Sequence, residues 1–150
     1  MHEKEAAVAE ESIQDAQEDL VGAFQFFEDW MDRYQYIIDM GRELPPFPEA
    51  ERTEENRVHG CQSQVWLTVE ELDDGRLRFR ATSDAAIVQG LIAMLLRIYS
   101  DRTPREIADT PPDFIREIGL DQHLSPSRSN GLNAMILRMK DEARKRLQGG

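Results

Sequence analysis

The chain contains a single cysteine, Cys61, set beside a glycine in Arg57-Val58-His59-Gly60-Cys61-Gln62-Ser63-Gln64-Val65-Trp66. A thiol with no second cysteine in its chain makes no internal disulfide, so chemistry at Cys61 must involve another molecule. Nucleophilic catalysis would ask for a base within reach of the thiol and an oxyanion partner. His59 would point to the thiol's side only if this piece is extended, and His123 is distant in sequence, so neither makes a triad. What flanks the thiol is Gly60, which permits close approach or an unusual backbone angle, and the amide and hydroxyl side chains of Gln62, Ser63 and Gln64. Such a thiol suits exchange with a disulfide or persulfide, where a thiolate attacks sulfur and needs neither an oxyanion hole nor a metal. Without a resolving cysteine, a persulfide on Cys61 can be discharged only to another protein. Two readings compete: a small cysteine-dependent hydrolase or peroxidase, and an interaction module with an inert cysteine. The missing base and resolving cysteine count against the first.

Other chemistries find less support. Cys61, His59, His123 and carboxylates could supply metal ligands, but no CxxC, HxxxH or HExxH occurs, and the expectation is no metal site. The nine glycines are scattered and form no phosphate-binding loop. A formal net charge of −11 repels phosphate backbones, which makes nucleic acid a poor partner. No apolar run has the length of a membrane span and the first residues lack the pattern of a secretory signal, so the expected compartment is the cytoplasm, with no membrane partner. A lone cysteine agrees with a reducing compartment.

The elements that must position Cys61 follow from periodicity. Residues 1–11 are acidic and poor in large apolar side chains, and read as a disordered tail; residues 12–150 read as one domain. From Ser12, apolar residues at spacings of three and four predict a helical hairpin or kinked helix over 12–41, with Asp29 capping a second segment and Gly41 at its C-terminal cap. Prolines 45, 46 and 48 make a stiff connector, and residues 42–57 read as surface chain. Val65, Leu67 and Val69 alternate with polar or aromatic neighbours, as do Leu77, Phe79 and Ala81 with arginines. With the Asp73-Asp74-Gly75 turn between them, these predict an antiparallel hairpin, extended by a third short strand near Arg57. Trp66 reads as sheet packing. Residues 85–99, apolar nearly all round and capped by Ser83 and Asp84, predict a buried central helix. Short helices follow at Thr103-Pro104 and Thr110-Pro111-Pro112, then a polar loop over 123–132 and a final amphipathic helix from Leu132. The fold class is α+β: a small antiparallel sheet of about three strands flanked by helices.

Three blocks in order, Gly60-Cys61-Gln62-Ser63-Gln64-Val65-Trp66, Ser83-Asp84-Ala85-Ala86-Ile87-Val88-Gln89-Gly90-Leu91 and His123-Leu124-Ser125-Pro126-Ser127-Arg128-Ser129-Asn130-Gly131-Leu132, resemble the SufE family of sulfur-acceptor proteins over about residues 20–146. The resemblance implies a fold similar to SufE and the scaffold IscU, with the cysteine on a loop at one edge. It also implies a function. A SufS-like cysteine desulfurase, which holds the pyridoxal phosphate (PLP), forms a persulfide; the SufE-like chain takes the outer sulfur onto Cys61, stimulates the desulfurase and passes sulfur to a SufBCD-like scaffold. No cofactor of its own is implied. Arg128 and Asp84 would lie near the cysteine loop or docking surface, Arg128 supporting a thiolate or pairing with the partner. Their plain structural alternatives are a loop-fixing salt bridge and a helix cap. Gly60, Gln62, Ser63 and Gln64 would shape the loop, and His59 receives no catalytic role.

Overall fold

The computed structural model describes residues 11–149. The acidic tail read in residues 1–11 therefore lies, apart from Glu11, outside the described residues. Glu11 itself is anchored: its carboxylate accepts two hydrogen bonds from Arg97, at 2.8 and 3.0 Å, and its carbonyl accepts one from Arg102 at 2.7 Å.

Helix α1 (Ile13–Phe24) starts at Ser12, whose hydroxyl accepts from the Asp15 amide, and buries Ile13, Ala16, Leu20 and Phe24. The break before α2 (Trp30–Arg42) falls where Asp29 accepts from the Met31 amide at 2.8 Å, so the stretch expected as a hairpin or a kinked helix is two separate helices. Gly41 does not have the predicted capping role. It lies inside α2, against Gly90 of α3 (Ala86–Tyr99), and a Cβ built on Gly90 would stand 2.1 Å from the Ile37 carbonyl oxygen. Glycine on both helices lets two backbones approach more closely than any side chain would permit.

Strands β1 (Val65–Glu71) and β2 (Leu77–Ser83) pair antiparallel, with Val65 opposite Ser83 and Glu71 opposite Leu77. The alternation places Val65, Leu67, Leu77, Phe79 and Ala81 in the core with α3, whose Leu91, Ile92, Met94, Leu95, Ile98 and Tyr99 are fully buried. Trp66 is also buried, with the Arg52 guanidinium 5.2 Å from its ring. Among the described residues the sheet has two strands. The third, predicted near Arg57, is reduced to a single antiparallel bridge between Arg57 and Trp66, because a turn at residues 54–56 and the Gly60 turn leave only a short extended piece.

Short helices α4 (Pro104–Asp109), α5 (Asp113–Ile118) and α6 (Leu120–His123) lead to the long α7 (Pro126–Gly149). Thr103 and Glu106 form a reciprocal capping box at α4. The buried Lys140 of α7 closes the other end of that helix, its ammonium donating to the carbonyls of Ile107, Ala108 and Thr110. The polar stretch predicted as a loop up to residue 132 is instead mostly helical. Ser125 accepts from the Arg128 amide at 3.3 Å and Pro126 follows it, so α7 begins six residues earlier than its apolar pattern suggests.

Candidate functional site

The segment carrying Cys61 lies along one face of α7. Its neck is closed on the sheet side by the Val58 amide donating to the Val65 carbonyl at 2.9 Å, by the Leu67 amide donating to the Asn56 carbonyl at 2.8 Å, and by the Arg57–Trp66 bridge. On the helix side, Arg138 donates to the carbonyls of Arg57 and Glu55, at 3.1 and 3.0 Å. Further toward the start of α7, Ala134 faces Gly60, and Gly131 faces Cys61. Residues 131, 134 and 138 share a helix face, spread over about 10 Å at 1.5 Å per residue. The loop therefore runs antiparallel to α7 and delivers Cys61 to its first turns.

Gly60 has a concrete local reason. Its φ is +94°, the left-handed region that favours glycine, and an added Cβ would stand 3.3 Å from Ala134 Cβ. Cys61 is half-buried, and its S–H donates to the Gly131 carbonyl with Sγ 3.6 Å from the oxygen. Gly131 permits this contact, since a Cβ there would lie 3.4 Å from Sγ. Burial pushes the thiol pKa up, opposed by the positive charge of Arg57. The resting state is thus a protonated, sheltered thiol.

Beside the sulfur is a cavity of about 300 Å³ lined by Cys61, Gln62 and Ser63 of the loop, Val88 and Leu91 of α3, and residues of the α7 start that include Ser127, Arg128 and Met135. The structure places Gln62, Ser63 and Arg128 around the same cavity as the thiol. Gln64 and Asp84 are placed differently. Asp84 does not cap α3, which begins after Ala85 without a side-chain cap; its carboxylate accepts from the Gln64 amide at 3.1 Å, and its own amide donates to the Gln64 carbonyl at 3.4 Å. Asp84 fastens the exit of the cysteine loop to the entry of the central helix.

Neither histidine lines the cavity. His59 is exposed, with Nε2 3.3 Å from a Glu54 carboxylate oxygen, and His123 stacks on Trp30 at 3.8 Å between ring centroids. Among the described residues there is no group of three or more His, Cys, Asp and Glu side chains that could hold a metal. None of the described helices is long and apolar enough to cross a membrane. Two features escape the sequence reading: the Gly131 carbonyl as partner of the thiol, and Arg57 as the cation whose charge reaches it. The position of Arg57, four residues before Cys61 across a glycine turn, is the available signal for the second; a backbone carbonyl leaves none.

The sequence model of the SufE family, described as an Fe-S metabolism associated domain, matches residues 18–143, close to the span of the resemblance. The chain belongs to the SufE family. Membership gives it a role in Fe–S metabolism. It is 46% identical over 132 residues to an uncharacterized SufE-like protein of Rhizobium meliloti, covering 85% of this chain and 94% of that one. A second uncharacterized SufE-like protein, from Rhizobium etli, is 43% identical over 131 residues, covering 85% and 88%. The fold matches the solution structure of a hypothetical protein from Thermus thermophilus with a TM-score of 0.72 and 25% identity, over 89% of this chain and 96% of that one. The SufE-like α+β architecture expected from the sequence is therefore the one observed.

Proposed function

We propose that this SufE-family protein is a persulfide carrier: it accepts sulfur from a SufS-like cysteine desulfurase onto Cys61, thereby stimulates the desulfurase, and delivers the sulfur to a SufBCD-like scaffold. The observation that carries the reading is the setting of Cys61, a lone thiol held protonated against the Gly131 carbonyl beside a small cavity, with no histidine lining that cavity. A thiol so placed is quiet by itself and gains its chemistry from what docks on it.

The transfer balances without a redox partner. Cys61 loses its proton, and its thiolate attacks the outer sulfur of the desulfurase persulfide. The bond between the two desulfurase sulfurs breaks, a new S–S bond forms on Cys61, and the desulfurase cysteine leaves as a thiolate that can take up a proton. The outer sulfur keeps its oxidation state. In this reading the pyridoxal phosphate belongs to the desulfurase, the carrier needs no cofactor or metal of its own, and the reducing cytoplasm is its compartment. Arg128, Gln62 and Ser63 line the space beside the sulfur, and Gly60, Gln64 and Asp84 hold the loop that presents it.

Intact mass after incubation with a desulfurase and cysteine is the test. One added sulfur on the wild type, with neither uptake nor desulfurase stimulation in Cys61→Ser, is the expected result. A Cys61→Ser variant that stimulates the desulfurase normally would overturn the reading.

A further inference from the structure

The turn between α1 and α2 carries the two most exposed large apolar side chains among the described residues, Phe26 at 87% and Met31 at 78%. A phenylalanine left almost wholly in water gives up the transfer free energy that burial would supply. The turn itself is firmly seated. Phe27 packs on Tyr36 with ring centroids 5.0 Å apart, Trp30 stacks on His123 at 3.8 Å, and Asp29 caps α2. Arg33, the one basic residue between Gln25 and Gly41, is turned inward, donating to the carbonyls of Phe27 and Ile118 at 2.6 and 3.1 Å. The carboxylates are left outside. Glu28, Asp29 and Asp32 are exposed beside the apolar pair, and none has an ion-pair partner among the described residues. The junction of α5 and α6 adds to them: an added Cβ on Gly119 would stand 3.3 Å from Trp30, and next to it Glu117 and Asp121 are likewise exposed and unpaired among the described residues.

We propose that the α1–α2 turn is a docking surface for a protein segment that presents lysine or arginine around an apolar anchor, as one face of a basic amphipathic helix does. The proposal does not rest on the carrier reading, since neither Phe26 nor Met31 lines the cavity beside Cys61. Burying Phe26 and the adaptable Met31 supplies affinity, and the carboxylate rim selects a basic partner and steers its approach. Charge also disfavours the other occupants. A second copy presenting the same face would set carboxylates against carboxylates, and an anionic lipid surface would be repelled in the same way. The start of the chain is no better matched: residues 1–10 hold Glu3, Glu5 and Glu10 against Lys4. They join the domain at Glu11, which is anchored on Arg97 and Arg102 at the far end of α1, about 18 Å of helix from the turn.

The test uses the full-length protein and a labelled helical peptide of leucine and lysine, with leucine on one face, followed by fluorescence anisotropy. The wild type is expected to bind it, and more weakly as salt is added. The double variant Phe26→Ser, Met31→Ser should bind about tenfold more weakly. Both side chains are exposed, so the variant keeps the fold. Leu137→Ser with Leu147→Ser, which removes exposed apolar surface on α7 instead, should bind as the wild type does. A peptide with glutamate in place of lysine should not bind. Amide resonances of the wild type locate the contact without any substitution: on titration with the leucine–lysine peptide, shifts are expected at residues 25–32 and 117–121. Equal losses in the two double variants, or shifts spread over the whole acidic surface, would mean attraction by net charge alone and overturn the proposal. Binding of the glutamate peptide equal to that of the lysine peptide also overturns it. So does a wild type that is dimeric at the working concentration and becomes monomeric in Phe26→Ser, Met31→Ser, because the occupant would then be a second copy.

Discussion

The Cys61 thiol and the Gly131 carbonyl form a hydrogen bond, with Sγ 3.6 Å from the oxygen, between the cysteine loop and the first turns of α7. The acceptor is a carbonyl, which can take the bond only from the protonated thiol, so ionisation removes this contact and leaves two electron-rich groups facing each other. The resting loop and the reactive thiolate are therefore competing states. Chemistry at Cys61 requires the sulfur either to leave this position or to gain a counter-charge in it.

That competition makes stability depend on pH. Burial raises the Cys61 pKa in the folded protein above its unfolded value, so the folded state holds its proton more tightly. The stabilisation is fully present below the unfolded thiol pKa and is lost as pH rises through the folded one. Cys61→Ser keeps a donor for the Gly131 carbonyl but does not titrate in this range. The stability difference between wild type and Cys61→Ser, from urea denaturation, is expected to be constant at neutral pH and to move against the wild type at alkaline pH. A difference that stays flat into the alkaline range would contradict a thiol sheltered in this way.

Substitutions at Gly131 should separate helix propensity from the packing of the thiol. In Gly131→Ala the new methyl meets Sγ at 3.4 Å, an ordinary contact, and alanine in a helix gains about 1 kcal/mol over glycine. This variant is expected to be as stable as the wild type or more so, with Cys61 alkylated more slowly. Gly131→Leu has no room for its branch without moving the sulfur. It should lose roughly 1–3 kcal/mol through overpacking and be alkylated faster. Thermal melting and alkylation rates check both; a leucine variant with the wild-type rate would mean that the loop does not rest on α7.

The crossing of α2 and α3 is a second place where one methyl decides. Gly90→Ala puts Cβ 2.1 Å from the Ile37 carbonyl oxygen, and the obstructing atom is backbone, which cannot swing aside. The gain in helix propensity, about 1 kcal/mol, is outweighed by forcing the two helices apart. A net loss of about 2 kcal/mol or more is expected, read as a melting temperature lower by roughly 5 °C or more for a chain of this size. Gly22, where nothing lies within 4 Å of an added Cβ, serves as the control: Gly22→Ala should melt at or above the wild type.

What can be read from residue order is the part governed by local pattern. Alternation in Val65, Leu67 and Val69 against Leu77, Phe79 and Ala81 specifies the hairpin, and the apolar run before Tyr99 specifies the central helix. Asp29 marks the break between α1 and α2. Gly41 misleads because a glycine near a helix end looks the same whether it adopts a left-handed cap or clears space for another backbone; only the position of Gly90 distinguishes them. The start of α7 is hidden by serines and asparagine that suit turns, although Ser125-Pro126 carries the capping signal. At the site, Cys61 and its neighbours are legible as a loop, whereas the bond from the Gln64 amide to Asp84 spans twenty residues and replaces the helix cap expected of that carboxylate. The family blocks bring Arg128 into view, whereas the signal for Arg57 is its place four residues before Cys61 across a glycine turn.

Glu11 is the residue at which sequence and structure part most clearly, since its acidic neighbours place it in a disordered tail and it instead binds Arg97 with both carboxylate oxygens. Its pKa is lowered chiefly by those hydrogen bonds from Arg97, against the effect of burial and with help from the charges of Arg97 and Arg102. A lowered carboxylate pKa stabilises the fold above the unfolded value and ceases to do so as pH falls through the folded one. The groups are about one-third exposed, which limits the contribution to about 1 kcal/mol even for a two-pronged pair. Glu11→Gln is therefore expected to be less stable than the wild type by that amount at neutral pH in low salt. The gap should narrow with added salt and close in acid, as the wild-type carboxylate takes up its proton. Melting curves of the two proteins across acidic to neutral pH test this directly, and parallel curves with a constant gap would mean that the carboxylate charge is not what anchors the start of the domain.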